Sequence, residues 1–283
     1  FQDLERVGLI ARAGGRAWKK YGYVTALGEA LLTQNPVQKR VFVPRPRRIG
    51  GGVDPKTGGT RFPNMLVDAT RLSVAQLVPR ADHHGKLGDK VLVGGKEDRR
   101  KGMQIATFSL EEGRTCSPSC GLLKVCFAGK MSQQKRIDYQ GVKTDKAFAR
   151  AICTSGPRHY RLNTIGDFPT DSFVDAIVAS LAVSTSTSFG YTHWQPETEL
   201  GEQIRTLSDV HWNFFAVRTS YEHGSREPLK ERGAVTLESF DPKLLKEHNA
   251  FPCPYELPKP RVKNCGDCGL CWMTRKNVAF KLH

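Results

Sequence analysis

The chain has 283 residues, 39% of them apolar, which is enough for one large domain, or a domain with an extension, around a sizeable core. No run of about 18 apolar residues occurs, so the sequence reads without a transmembrane helix, and no secretory signal is visible. The net charge of +15 is uneven: residues 1–100 carry 19 Lys and Arg against 9 Asp and Glu, whereas residues 151–250 carry 9 against 13.

In chain order, residues 1–100 read as an irregular basic extension. "RAWKKYGYVTALGEALLTQ" can hold a short helix, and "KRVFVPRPRRIGGGVDPKTGGTRF" is rich in Pro and Gly and suits loops and edge strands. Such a basic stretch points to an anionic partner: nucleic acid or another polyanion. "GGGVDPKT" falls short of a phosphate loop, because Pro55 stands at the last glycine and lacks the N–H that phosphate needs. "ADHHG" (81–85) reads as a solvated loop, since adjacent histidines seldom share a metal.

From residue 103 the pattern becomes periodic. "MQIATFSLEE" (103–112) predicts a strand, and "MSQQKRIDYQGVKTDKAFARAI" a helix broken near Gly141. "HYRLNTIGDF" (159–168) predicts a second strand. "TDSFVDAIVASLAV" is the clearest helix, capped by Thr170 or Asp171, with Phe173, Val174, Ile177, Val178 and Leu181 on one face. "STSFGYTHW" is a third strand, "PETELGEQIRTLSD" a helix, "HWNFFAVRTS" a fourth strand, "EPLKERG" a helical turn and "AVTLES" a fifth strand. Strands alternating with helices imply parallel βαβ units, here a partial (β/α) barrel of the α/β class. The organisation expected is a basic extension (1–100), the barrel (101–245) and a cysteine-rich segment (246–283).

Seven of the eight cysteines form two groups, which favours a metal over disulfides and places the protein in a reducing cytoplasm. Cys116, Cys120 and Cys126 are spaced C-x3-C-x5-C just after the first strand. Three thiolates there can hold three irons of a 4Fe–4S cluster and leave the fourth iron open, or hold a 3Fe–4S cluster. A zinc knuckle is the alternative. Arg114, Lys124 and Lys130 can offset the charge of a cluster. Cys253, Cys265, Cys268 and Cys271 form the second group, C-x11-C-x2-C-x2-C, in which the C-x2-C-x2-C run has ferredoxin-like spacing. Four ligands make a closed structural or electron-transfer site, with zinc again the alternative. Cys153 stands apart and reads as a small buried hydrophobe.

Parallel α/β folds gather functional groups at the C-terminal ends of their strands. Asp167, Thr192, His193, Arg218 and Ser220 fall there. Asp167 suits an ammonium, and Arg218 a carboxylate or phosphate.

"KGMQIATFSLEEGRTCSPSCGLLKVCFAGKM", "RLNTIGDFPTDSFVDAIVASL", "FGYTHW", "FFAVRTS" and "CGDCGLCW" occur in that order. In this the chain resembles phage-borne and prophage-borne proteins of the "gene product eighty-eight" type, which are themselves similar to radical S-adenosylmethionine (SAM) barrels. The resemblance covers residues 101–283. It implies a partial barrel with Cys116, Cys120 and Cys126 on a cluster, SAM on the open iron, and Gly166–Asp167 at the SAM amino group. It also implies an auxiliary cluster on the second cysteine group and work in the cytoplasm of a phage-infected cell. Two functions follow. One is a cluster-dependent enzyme acting on a nucleotide or nucleic acid, with Asp167, His193, Arg218 and Ser220 positioning substrate. The other is a non-enzymatic iron–sulfur or zinc protein binding nucleic acid or a host protein.

Overall fold

Each of the five stretches expected to be strands contributes one, and all five lie side by side in a single parallel sheet. The computed structural model describes residues 10–11, 23–24, 60, 62–78, 91–93, 96–98, 105–118, 120, 135–155, 158–221, 232–259, 262 and 264–281. Its main strands are β1 (Leu66–Asp68), β2 (Ile105–Thr107), β3 (Arg136–Asp138), β4 (His159–Arg161) and β5 (Thr187–Thr192), followed by β6 (Phe215–Tyr221), β7 (Gly233–Leu237), β8 (Ala250–Pro252) and β9 (Asn277–Lys281). The seven-stranded sheet runs β8-β9-β7-β6-β5-β4-β2, with every neighbouring pair parallel. Among the described strands its two edges do not meet, so what is seen is an open parallel α/β sheet.

The helices are α1 (Val74–Leu77), α2 (Val142–Thr154), α3 (Asp171–Ser184), α4 (Glu199–Val210), α5 (Pro242–Glu247), α6 (Cys265–Cys268) and α7 (Leu270–Met273). Local chemistry sets the ends of the long ones. Thr170 caps α3 by accepting from the Phe173 N–H at 3.2 Å, and Thr198 caps α4 by accepting from the Gly201 N–H at 3.1 Å. The apolar face read for α3 is buried in full: Phe173, Val174, Ile177, Val178 and Leu181 join Phe108, Phe148, Tyr160 and Phe215 in the main core. Each such side chain contributes roughly 1.5–3 kcal/mol of burial. No helix among the described residues is long and apolar enough to cross a membrane.

The structure corrects two readings here. Residues 135–141 are not part of a helix: Arg136–Asp138 is a strand, parallel to Leu66–Asp68 and bridged to Leu110 through Ile137. Its helical spacing lost to pairing with a remote strand, and the helix proper begins only at Val142. Cys153 is exposed on α2 rather than buried. Residues 62–78, which composition groups with the extension, pack into the same core through Ala69, Leu77 and Val78. The helical turn read in "EPLKERG" lies outside the described residues up to Glu231, with Gly233 already in β7, and the helix read in "RAWKKYGYVTALGEALLTQ" lies outside them apart from Tyr23–Val24, which pair antiparallel with Ile10–Ala11.

Candidate metal centre

The first cysteine loop leaves the C-terminal end of the β2 segment and is held from three sides. Leu110 N–H donates to Ile165 O at 3.0 Å and Glu111 N–H to Ile137 O at 3.1 Å, wedging the strand extension between its neighbours. Glu112 is fully buried, and both of its carboxylate oxygens accept from Arg136 Nε, at 2.8 and 2.6 Å. Thr60 Oγ1 donates to the same carboxylate at 2.9 Å. Glu111 accepts from Thr60 N–H at 3.1 Å and from Arg114 Nη1 at 3.1 Å; burial pushes its pKa up, against those donors. Arg114, expected to offset cluster charge, is instead paired with Glu111 and Asp138.

Thr115 then ties the loop to the next strand end. Its hydroxyl donates to Glu111 O at 2.7 Å and accepts from Asp167 N–H at 3.2 Å. Gly166 sits directly against it with φ +77; a Cβ there would lie 2.6 Å from Thr115 Oγ1 and 2.8 Å from Leu110 O. The glycine is required by both its backbone angle and the loop packed on it.

Asp167, His193 and Cys120 come together at this edge. The Asp167 carboxylate is buried; it accepts from Phe168 N–H at 2.8 Å and from His193 N–H at 2.7 Å. Nδ1 of His193 lies 3.6 Å from Asp167 Oδ2. Burial opposes protonation of His193, but its hydrogen bonds to Asp167 and Cys120 outweigh burial and push its pKa up to about 10. Cys116 and Cys120 are both buried; Gly113 N–H points at Cys116 Sγ at 3.4 Å. Cys126, Lys124 and Lys130 lie outside the described residues.

The second cysteine group lies across one face of the sheet. Cys265 packs with Ile105, Phe189, Trp212 and Ala216, and Cys271 and Trp272 pack beside them. Asn264 caps α6 by accepting from Asp267 N–H at 2.9 Å. Gly269, at φ +65, turns the chain from α6 into α7, bringing Cys265, Cys268 and Cys271 onto two consecutive single turns. Tyr191 OH donates to Cys271 Sγ at 2.7 Å. Cys253 is buried, its N–H bonded to Ala279 O of β9 at 2.8 Å.

One expected site residue serves this architecture. The guanidinium of Arg218 is buried and donates to four backbone carbonyls of the cysteine segment: Leu270, Cys271, Thr274 and Lys276. Its donors therefore point at that segment and not at an anion. Ser220 is buried in β6, with its carbonyl accepting from Gln195 Nε2 at 3.3 Å. Thr192 likewise turns inward, accepting from Trp194 N–H at 3.1 Å. Sequence reading missed Thr60, Glu111, Glu112, Thr115 and Arg136. Only the adjacent acids of "EEGRTC" offered a signal, and nothing local names their partners.

The donor chemistry fits a thiophilic metal or an iron–sulfur cluster. Seven cysteines are described, none of them in a disulfide, four of them buried in the two groups, and soft thiolates select iron–sulfur clusters and zinc. Among the described residues no three His, Cys, Asp or Glu side chains already stand in a metal-holding arrangement. No family model matches the chain, nor does any curated protein or solved structure.

Proposed function

We propose that this chain is an iron–sulfur protein built on a partial (β/α) barrel of radical-SAM type. Its clusters carry electrons, sense redox state or hold the fold, and SAM has no part in its work. Cys116, Cys120 and Cys126 hold the first cluster. Cys253, Cys265, Cys268 and Cys271 hold the second, which pins the C-terminal segment across the sheet. The basic N-terminal third contacts nucleic acid in the cytoplasm of a phage-infected cell.

The inward turn of Gly166–Asp167 carries this reading. A SAM-binding strand end would offer its polar groups to the SAM ammonium. Here Gly166 is packed on Thr115, and the Asp167 carboxylate is committed to Phe168 and His193. The spacing C-x3-C-x5-C also departs from the C-x3-C-x2-C of the radical-SAM superfamily.

A cluster-dependent enzyme acting on a nucleotide or nucleic acid is the second reading. It is favoured by the position of the first cysteine loop at the C-terminal edge of a parallel sheet, where such folds do chemistry.

Anaerobic purification separates the readings. Brown protein containing iron and sulfide, with no 5′-deoxyadenosine formed from SAM after reduction, supports the first reading. Formation of 5′-deoxyadenosine supports the second. Colourless protein with stoichiometric zinc overturns both. A gel shift with DNA or RNA that weakens steeply with salt checks the polyanion contact.

A further inference from the structure

We infer that the cavity between β6 and α4 binds a nucleoside monophosphate, with its phosphate on Arg205 and Arg232. The cavity has a volume of about 350 Å3, and small-molecule sites run from roughly 300 to 1,000 Å3. Successive residues of a strand face opposite sides of the sheet. Arg218 turns to the cysteine segment, whereas Val217, Thr219 and Tyr221 line the cavity on the other face. The site is therefore separate from both cysteine groups and needs no cluster.

Positive charge gathers toward the C-terminal end of α4. Arg205 Nη1 lies 3.9 Å from Asp209 Oδ2, and Arg232 pairs with Asp209 Oδ1. Arg275 Nη2 donates to the Asp209 backbone carbonyl at 3.1 Å. Three guanidiniums against one carboxylate leave a formal charge of +2. A phosphate monoester dianion matches that charge, and the planar guanidinium fork matches its oxygens. Arg232 is the best placed of the three. Its side chain is 14% exposed, and among the described residues its buried Nε has no hydrogen-bond partner; an orphaned buried donor calls for an acceptor. Burial, with repulsion from Arg275 and Arg205, pushes its pKa down, and an anion beside it offsets both. The backbone holds Arg232 at φ +64, with its N–H donating to Arg275 O at 3.0 Å. That angle is uncommon outside glycine, and such outliers gather at ligand clamps.

The rest of the cavity fits the body of the same ligand. Ile204 and Val217 supply apolar surface and Tyr221 an aromatic ring for a base. Glu197 also lines the cavity, just ahead of Thr198, the cap of α4. Arg205 comes two turns later, roughly 10 Å along the axis at 1.5 Å per residue. The cavity thus offers guanidiniums for a phosphate at one place and a carboxylate for an amino group about a nucleotide's length away. An amino-bearing base such as adenine suits Glu197; uracil, which has no amino group, does not.

The test is isothermal titration calorimetry on the whole chain with adenosine monophosphate, uridine monophosphate, adenosine and inorganic phosphate. Adenosine monophosphate should bind once per chain, about tenfold or more tighter than each of the other three. Arg232→Gln should weaken it roughly 10- to 100-fold, the loss expected for a charge-assisted hydrogen bond. Arg205→Gln, at a side chain 49% exposed, should weaken it about tenfold without disturbing the core, and it decides alone if Arg232→Gln fails to fold. No binding of adenosine monophosphate to the wild type at millimolar ligand overturns the assignment. So does nucleotide binding that neither arginine variant weakens, which places the phosphate elsewhere. Inorganic phosphate or adenosine binding as tightly as the nucleotide overturns it as well, because the two ends of the cavity then do not act on one ligand.

Discussion

The buried pair of Arg136 and Glu112 offers the sharpest perturbation. Both side chains are fully buried, and the Glu112 carboxylate is satisfied by Arg136 Nε and Thr60 Oγ1. Arg136 also lies 4.7 Å from the centroid of the Phe62 ring. Replacing Arg136 with Met keeps much of the volume but strands a carboxylate away from water. Breaking such a pair from one side costs about 3–5 kcal/mol, whereas replacing both partners with apolar residues is close to neutral or stabilising. For a chain of this size each kcal/mol moves the melting point by about 2–4 °C, so Arg136→Met should lower Tm by roughly 10 °C. Glu112→Leu/Arg136→Met should recover most of the loss. Because Glu112 stands four residues before Cys116, the single variant should also lose iron from the first site before the second. The assay is a double-mutant cycle by denaturant unfolding, followed by metal analysis. A single variant that loses less than about 1 kcal/mol, or a double variant no better than the single, would refute the reasoning.

Three further outcomes can be checked. Gly166→Ala forces a Cβ against Thr115 Oγ1 and Leu110 O at an unfavourable φ; it should destabilise by about 1–3 kcal/mol and loosen the first cysteine loop, read as faster amide exchange over 110–118. Arg218→Lys keeps the charge but cannot reach four carbonyls; iron at the second site should fall while the first is retained, and equal loss from both would contradict the assigned role. Asp145 has its pKa raised to about 6 by burial, against hydrogen bonds from Ser172 and Tyr139. The folded state therefore holds its proton more tightly than the unfolded state, and Asp145 costs stability as pH rises from about 4 through 6. Asp145→Asn should gain on the wild type over that window by on the order of 3 kcal/mol, and parallel stability–pH curves would sink the argument.

What the sequence made legible is what is local and periodic. The face of α3 announced itself through Phe173, Val174, Ile177, Val178 and Leu181, and Thr170 marked where it begins. The alternation of strands and helices gave the parallel sheet, and the strand-end rule brought Asp167 and His193 to the edge occupied by Cys120. What stayed hidden depends on partners far along the chain. Arg136 looks like a surface helix residue until Glu112 and Thr60 are placed beside it. Arg218 looks like an anion ligand until the carbonyls of 270–276 converge on it. The segment 62–78 is itself apolar-rich, but it lies inside the basic, Pro- and Gly-rich first hundred residues whose composition read as an extension; it joins the core through Ala69, Leu77 and Val78. Cys153 has no periodic signal strong enough to tell an exposed helix position from a buried one.

Iron and sulfide counting with EPR, on the wild type and on the Cys116/Cys120/Cys126→Ala variant, tests the central claim most directly. Two clusters predict about eight irons and eight sulfides per chain in the wild type and about half of that in the variant, with one EPR signal lost and the other kept. Stoichiometric zinc without sulfide, or an iron count the variant does not change, would contradict it.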